Sequence, residues 1–333
     1  MHNLADGRIL VTGGAGFIGS ALIWELNRRG LRDILVADHL RTTEKWKNLV
    51  PLQFEDYLEA SALESRLDMR DPALKDIRTI FHMGACSATT ETDAAYLIHN
   101  NYEYTNKLAG WCLETKGRFV YASSAATYGG LEEGLNEARP LSSLRPLNMY
   151  GYSKHLFDCY AERKGFLNLI TGLKYFNVFG PNEDHKEDMR SVVHKAYHQI
   201  LDTGSVKLFK SYRPEFADGC QRRDFLYVKD AVRMTIFLAE NTRAGGLYNV
   251  GTGTSRTWLD LATAIFAALG KPVKIEFVDM PERLKGKYQY FTQAEIAKIR
   301  SLGYTDEMTS LEDAVEDYVL NYLVPGGKLE PAP

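Results

Sequence analysis

Tyr150 and Lys154 stand four residues apart in the run Asn148-Met149-Tyr150-Gly151-Tyr152-Ser153-Lys154. On a helix that spacing places both side chains on one face. An ammonium beside a phenol favours the phenolate and draws tyrosine down from its ordinary pKa of about 10. Ser124 lies upstream, just after the apolar run Arg118-Phe119-Val120-Tyr121-Ala122. A serine, a tyrosine and a lysine at a strand end can bind a hydroxyl and take its proton as hydride leaves to a nicotinamide. A Tyr-x-x-x-Lys pair alone arises often by chance on helix surfaces. It acquires meaning only beside a cofactor loop.

Such a loop is present at Thr12-Gly13-Gly14-Ala15-Gly16-Phe17-Ile18-Gly19, between an apolar strand and a helical run. Gly13 allows a tight turn, Gly16 lets the backbone approach a pyrophosphate, and Gly19 lets helix and strand pack closely. The helix N-terminus presents unpaired N–H groups and a positive dipole end to an anion. Asp38 ends the next apolar run, where an acidic residue holds a ribose 2′-hydroxyl and favours NAD. Arg41, Lys45 and Lys47 follow it and could accept a 2′-phosphate instead, hence NADP. Read locally, these residues do not choose between the two cofactors.

The elements that must position these residues alternate. Strands are expected at Arg8–Val11, Asp33–Ala37, Thr79–His82, Arg118–Ala122 and Leu169–Tyr175, and helices at Ile18–Arg29, Ala94–Thr115 and Tyr150–Lys164. Repeated strand-helix-strand units imply right-handed crossovers and a parallel sheet. After Pro181 the pattern changes. Helices are expected at Val192–Asp202, Asp230–Asn241, Trp258–Leu269 and Leu311–Leu323, and strands at Val206–Phe209, Phe225–Val228, Gly246–Val250 and Val273–Phe277, around an irregular loop at Ser211–Arg223. The fold class is therefore α/β, a Rossmann-type doubly wound parallel sheet with a smaller mixed α/β lobe. Residues 1–180 plus about 224–251 are assigned to the dinucleotide-binding domain, and 181–223 plus 252–323 to the second lobe. The proline-rich tail at 324–333 is expected to fray.

Composition excludes several classes. A chain of 333 residues suits two lobes at about 150 residues per domain. Hydrophobic residues at 45% and charged residues at 25% are ordinary for a globular protein. With Lys plus Arg at 40 and Asp plus Glu at 43, no cationic excess marks a nucleic-acid binder. The uncharged stretch Ile9–Trp24 is rich in glycine and shorter than the roughly 20 apolar residues of a membrane span. Cys86, Cys112, Cys159 and Cys220 form no CxxC pair, which fits a reducing, cytoplasmic location. No metal is expected. His194 and His198 share a helical face, but Lys195 stands where an HExxH motif needs glutamate, so both are expected as exposed helix histidines. Cys86 has no histidine partner in the sequence pattern and is expected to line the cofactor or to pack.

TGGAGFIG, SSAATYG, YGYSK, RDFLYV and NVGTG together resemble the extended short-chain dehydrogenase/reductase superfamily, within it the nucleotide-sugar epimerases and dehydratases. FHMGACSATTETD, PLNMYGYSKHLFD, KYFNVFGPNEDHK and LKGKYQYFTQAEI are similar to the ADP-L-glycero-D-manno-heptose 6-epimerase family, over nearly the whole chain to about Tyr322. That resemblance implies an isomerase acting on an ADP-heptose, with NADP as cofactor and NAD as the alternative. It places Phe17 and Ile18 at the pyrophosphate, and Asp38, His39 and Lys45 at the adenosine end. His82, Met83, Gly84, Ala85, Cys86, Ser87 and Asn100 fall along the cofactor groove. Tyr150 and Lys186 match two proton-transferring residues, with Ser124 and Lys154 completing the site. Lys186 and Val178 also touch the cofactor, and Asn177 joins it to the sugar. Asp188, Lys195, Phe209, Lys210, Ser211, Arg223 and Tyr288 fall on the substrate side. The chain departs from the family at Ala60, in place of a second cofactor-binding lysine, at Asp188, in place of a serine, and beside His194 and Lys195, where the family has a substrate-side histidine. The loop from Tyr212 to Gln221 is longer.

Two proton-transfer groups suit inversion at an exocyclic carbon. Oxidation gives a ketone, and rotation about one single bond offers its other face to the same cofactor. The oxygen then occupies two places, and one group cannot reach both within roughly 2.6–3.2 Å. By composition alone Lys186, in the run Asn182 to Asp188, is a solvated charge; the resemblance reverses that assignment. A UDP-hexose 4-epimerase would keep the same cofactor site, and a silent nucleotide-binding protein would keep the fold without turnover. A 4,6-dehydratase needs acids beside the serine, where this chain has Ala125 and Ala126. No membrane or nucleic-acid partner is expected, and a homo-oligomer is.

Overall fold

The computed structural model describes residues 1–282 and 288–331. β1 (Arg8–Thr12) is buried along nearly its whole length, as a central parallel strand with both faces covered must be. It leads through the glycine turn into α1 (Phe17–Arg28), then β2 (Ile34–Asp38), β3 (Asp56–Glu59), α2 (Ala60–Asp68) and β4 (Ile77–His82). α3 (Ala94–Leu97) passes through a π-helical turn at Ile98–Glu103 into α4 (Tyr104–Glu114). β5 (Arg118–Ser124), α5 (Met149–Arg163) and β6 (Thr171–Tyr175) complete the first half. There follow β7 (Asn177–Phe179), α6 (Val192–Thr203), β8 (Val206–Phe209), β9 (Arg222–Tyr227), α7 (Val228–Glu240) and β10 (Gly246–Val250). The chain ends with β11 (Ser255–Thr257), α8 (Trp258–Ala268), β12 (Ile275–Val278), α9 (Ala297–Ser301) and α10 (Leu311–Tyr318), which runs into a π-helical turn at Val319–Leu323.

Among the described residues the main sheet has seven strands in the order β3-β2-β1-β4-β5-β6-β10, every neighbouring pair parallel. Leu22 and Leu26 of α1 and Met234 and Leu238 of α7 pack on one face. Leu63 of α2, Leu108 of α4 and Phe157 of α5 pack on the other. This is the doubly wound Rossmann-type sheet. Its strand order reverses between β1 and β4, and ligands of such sheets bind beyond the strand ends at that point. β7, β9 and β11 form a small mixed sheet, and β8 pairs in parallel with β12.

Several elements carry no clear signal in sequence. β3 reads Asp-Tyr-Leu-Glu and buries only Leu58, so an edge strand looks like a polar loop. β7 and β11 are three residues each and too short for a period. The long helix expected at Ala94–Thr115 contains the π turn, in which Asn101 is fully buried and bonds both backbone groups of Cys86.

The expected fraying of the tail is corrected through Glu330. Leu329 is fully buried and its amide donates to Asn182 Oδ1 at 3.1 Å. The Trp24 indole donates to the Glu330 carbonyl at 3.0 Å. One large apolar side chain and two directed hydrogen bonds outweigh the freedom that prolines and glycines suggest. Among the described residues no helix is long and apolar enough to cross a membrane.

Candidate active site

The turn after β1 is built on glycine for steric reasons. Gly13 has φ +67°, and a Cβ there would lie 2.5 Å from the Gly84 amide nitrogen at the end of β4. A Cβ on Gly19 would collide with the Gly13 carbonyl. Gly16 caps α1 without any side-chain hydrogen bond, so the first amides of the helix are left for an anion. At the end of β2 the buried Asp38 carboxylate accepts from the Ala15 amide at 2.9 Å, the His39 amide at 2.6 Å and Lys45 Nζ at 2.6 Å.

From this turn a cleft of about 490 Å³ runs to the ends of β5 and α5. Gly13, Gly16, Phe17, Ile18, Gly19, Asp38, Lys45, Met83, Gly84, Ala85 and Ser87 line one part of it, and Ser124, Tyr150, Lys154, Asn177, Val178 and Lys186 the other. A second cleft of about 210 Å³ shares Gly13, Asp38, Lys45, Gly84 and Ala85 and adds His39, Arg41, Ala60, Cys86 and Asn100. The buried Tyr104 hydroxyl, which has no hydrogen-bond partner, also lines it. A glycine cradle that any Cβ would fill, unclaimed helix amides and an orphaned hydroxyl fit a bound dinucleotide. His82 is the exception among the groove residues. It is fully buried, bridges Thr12 and Thr105 at 2.6 and 2.8 Å, and lines neither cleft, so it is a core histidine behind the groove.

β5 delivers Ser124, whose carbonyl accepts from Thr127 Oγ1 at 2.7 Å. α5 begins at Asn148, whose side chain accepts from the Gly151 amide at 2.8 Å and so fixes the turn that carries Tyr150. Burial pushes the Tyr150 phenol up, with hydrogen bonding to Ser124 acting against it. The shift is thus upward, against the expectation that Lys154 draws the phenol down: burial dominates, and the opposing effect comes from Ser124. Lys154 itself is pushed down to about 8 by burial, opposed by the negative charge of Asp158. Burial also pushes the Cys86 thiol up, away from thiolate character.

Asp158, which no sequence motif singles out, lies one turn beyond Lys154 and is fully buried. It accepts from Tyr121 and Ser123 at 2.8 Å each and from Lys174 at 3.2 Å. Lys174 also donates to Thr127 Oγ1 at 2.5 Å. The Tyr121 and Ser123 hydroxyls thus tie the helix bearing Tyr150 to β5, which ends at Ser124, and the buried ion pair ties it to Lys174 of β6.

Lys186 lies on the 3-10 turn Asp184–Met189, half-buried, with Nζ 5.2 Å from the Phe17 ring centroid. Burial lowers its pKa. Sequence placed it in a polar run, and the fold turns it into the cleft that Tyr150 lines.

The residues expected on the substrate side separate into two groups. Arg223 is buried with its guanidinium 5.1 Å from the Tyr288 ring and 5.7 Å from Trp258, and Trp258 donates to the Tyr288 hydroxyl at 2.9 Å. Phe209 meets Tyr288 edge-on at 6.3 Å. Trp258 and Phe225 line the main cleft and join this cluster to it, whereas the sequence pattern marks Trp258 only as a helix start. Lys210 pairs with Asp279 at 3.3 Å, and the Ser211 amide donates to Asp218 at 2.6 Å. Asp188 and Lys195 are not brought to the main cleft. They line a shallow hollow with His194 and His198, where Lys195 donates to the Asp188 carbonyl. His194 is buried, not exposed as expected, and bonds Asp184 at 3.1 Å. Most of the LKGKYQ run, residues 284–287, lies outside the described residues. Among the described residues no three His, Cys, Asp or Glu side chains cluster as metal ligands.

Residues 9–251 match the model of the NAD dependent epimerase/dehydratase family. The chain is 51% identical over 315 residues to a protein of Nitratidesulfovibrio vulgaris (strain Hildenborough) named ADP-L-glycero-D-manno-heptose-6-epimerase, covering 94% of this chain and 97% of that one. It is 48% identical over 325 residues to the protein of that name from Fusobacterium nucleatum subsp. nucleatum, covering 95% and 98%. Among solved structures it is similar to the Helicobacter pylori ADP-L-glycero-D-manno-heptose-6-epimerase, with TM-score 0.78, 28% identity and 96% of each chain covered. It is also similar to the Bacillus cereus UDP-glucuronic acid 4-epimerase in complex with UDP-glucuronic acid and NAD, with TM-score 0.78, 26% identity, and 96% of this chain and 100% of that one covered.

Proposed function

The chain belongs to the NAD dependent epimerase/dehydratase family, and from that premise we propose that it is an isomerase converting ADP-D-glycero-β-D-manno-heptose to its L-glycero epimer at C6. The product serves lipopolysaccharide inner-core heptose synthesis. The observation that carries this reading is the meeting of Tyr150 and Lys186 in one cleft with the glycine turn, in a chain about half identical over nearly its full length to proteins named for that reaction.

The bound nicotinamide supplies the reversible hydride acceptor. Gly13, Gly16 and the first amides of α1 hold its pyrophosphate, and Lys154 the ribose hydroxyls. Ser124 and Tyr150 hold the C6 oxygen in one pose, where Tyr150 exchanges the hydroxyl proton. Lys154, with a pKa of about 8, is mostly cationic at neutral pH and stabilises the phenolate as it forms. After rotation about the adjoining bond the oxygen lies beyond the reach of Tyr150, and Lys186 exchanges its proton. A lysine whose charged form is disfavoured by burial is suited to give up and regain a proton. Arg223, stacked between Trp258 and Tyr288, faces the ADP-sugar side.

The cofactor is NADP. Asp38 is offset by Lys45 and two amides, so its charge opposes a 2′-phosphate less, and Arg41 and His39 line the same cleft. Incubation with ADP-D-glycero-β-D-manno-heptose in heavy water tests the reaction. Conversion to the L-glycero epimer with no deuterium at C6 is expected. Solvent label at C6, or turnover of a UDP-hexose but not of the ADP-heptose, overturns it.

A further inference from the structure

Lys186 is supported by neither a strand nor a long helix. Its amide donates to the Glu183 carbonyl at 3.0 Å, so its place depends on residues Asn182 to Asp184. Asn182 is a non-glycine residue at φ +76°, a conformation that needs external support. Its side chain donates to Ser20 Oγ of α1 at 3.0 Å and accepts the Leu329 amide at 3.1 Å. Its carbonyl accepts from Asn48 Nδ2 at 3.0 Å, the same group that donates to the Ala15 carbonyl in the phosphate turn at 3.0 Å.

Two residues on, Asp184 is paired by Lys328. Leu329, between these two tail contacts, is fully buried in the apolar core that includes α1. Beyond it Trp24 of α1 holds the Glu330 carbonyl. The tail therefore touches both the phosphate-binding helix and the base of the Lys186 turn. Among the described residues no hydrogen bond or ion pair joins it to β5 or α5, which carry Ser124, Tyr150 and Lys154.

We propose that Lys328–Glu330 is a positioning strap, which sets Lys186 in the cleft by clamping Asn182 and Asp184 against α1. This rests on the reading of Lys186 as the second proton-transfer group. Removing the strap leaves Asn182 Oδ1 without its donor, takes Lys328 from Asp184, which keeps its bond to His194, and vacates the seat of Leu329. The Lys186 turn loosens while the Tyr150 side stays in place. The strap thus acts on one of the two proton transfers.

The experiment uses full-length Lys328→Met/Leu329→Ala, with Lys328→Arg as the conservative variant and Lys186→Ala as the reference. Lys186 is labelled with an amine-reactive acetylating reagent, and its labelling rate is read by peptide mass. In parallel, an ADP-sugar carrying a C6 aldehyde is disproportionated to its alcohol and acid, and the rate of that reaction is compared. In the double variant, Lys186 labelling is expected to rise several-fold. kcat should fall with little change in KM, and the disproportionation rate should move toward that of Lys186→Ala. Lys328→Arg should keep both readouts near the parent's. Unchanged labelling and disproportionation rate in a folded double variant overturn the strap, whatever happens to its melting temperature. Full epimerisation by Lys186→Ala instead overturns the two-group reading, and the labelling rate still decides the strap.

Discussion

Lys45 donates to the buried Asp38 carboxylate at 2.6 Å, within a turn of residues that also brings Arg41 and His39 to the adenosine-side cleft. An acid at this strand end normally selects a free 2′-hydroxyl by repelling phosphate. Here its charge is shared with a cation. Cofactor released by denaturing the purified protein is expected to carry the 2′-phosphate by mass. Lys45→Met should weaken NADP binding about tenfold or more, since a hydrogen bond to a charged group contributes roughly 1.5–3 kcal/mol. A released cofactor without that phosphate would reject this account.

Tyr150→Phe and Lys186→Ala should each abolish epimerisation while leaving the melting temperature near the parent's. On an ADP-sugar carrying a C6 aldehyde each should retain partial disproportionation to the alcohol and the acid, because the remaining group still serves one pose. Complete loss of that disproportionation in both variants would count against separate proton-transfer groups.

Lys154 must be cationic to support a phenolate. With a pKa of about 8, the rate should hold below that pH and decline above it. Asp158 raises that value, so Asp158→Asn should move the alkaline limb to lower pH, whereas a purely structural defect would lower the rate at every pH alike. The pH dependence of kcat checks the sign.

Asp158 and Lys174 are both almost wholly buried. Breaking such a pair from one side strands a charge and costs about 3–5 kcal/mol, whereas replacing both with apolar groups of similar size is often neutral. Lys174→Met should therefore lower stability toward urea more than Lys174→Met/Asp158→Asn does, since the amide carries no charge and keeps an acceptor for the buried hydroxyls. Equal losses would show that the pair is not coupled.

Gly13→Ala should empty the cofactor site. Its left-handed backbone costs a side chain roughly 1–2 kcal/mol, and the new Cβ meets the Gly84 backbone, which cannot yield without moving the end of β4. Nicotinamide content per mole of protein gives the check.

The glycine turn, Asp38, Ser124 and the Tyr150–Lys154 pair were legible in sequence because each depends on local spacing: a strand, a turn and a helix whose pattern lies within a few dozen residues. The alternation of apolar runs with helical ones likewise determined the parallel sheet, since short buried strands joined by helices leave few other arrangements. Other features depended on contacts between distant segments. Lys186 looks solvated until α1 closes over it, His82 looks like groove lining until Thr12 and Thr105 enclose it, and residues 328–330 look frayed until Asn182 and Trp24 receive them. Asp158 and Lys174 are adjacent on neither strand nor helix, and only the packing of α5 on β5 and β6 makes them a pair. Periodicity reports which face of an element is apolar. Which polar group meets which, across a sheet or under a tail, is decided by the packing that excludes water from between them.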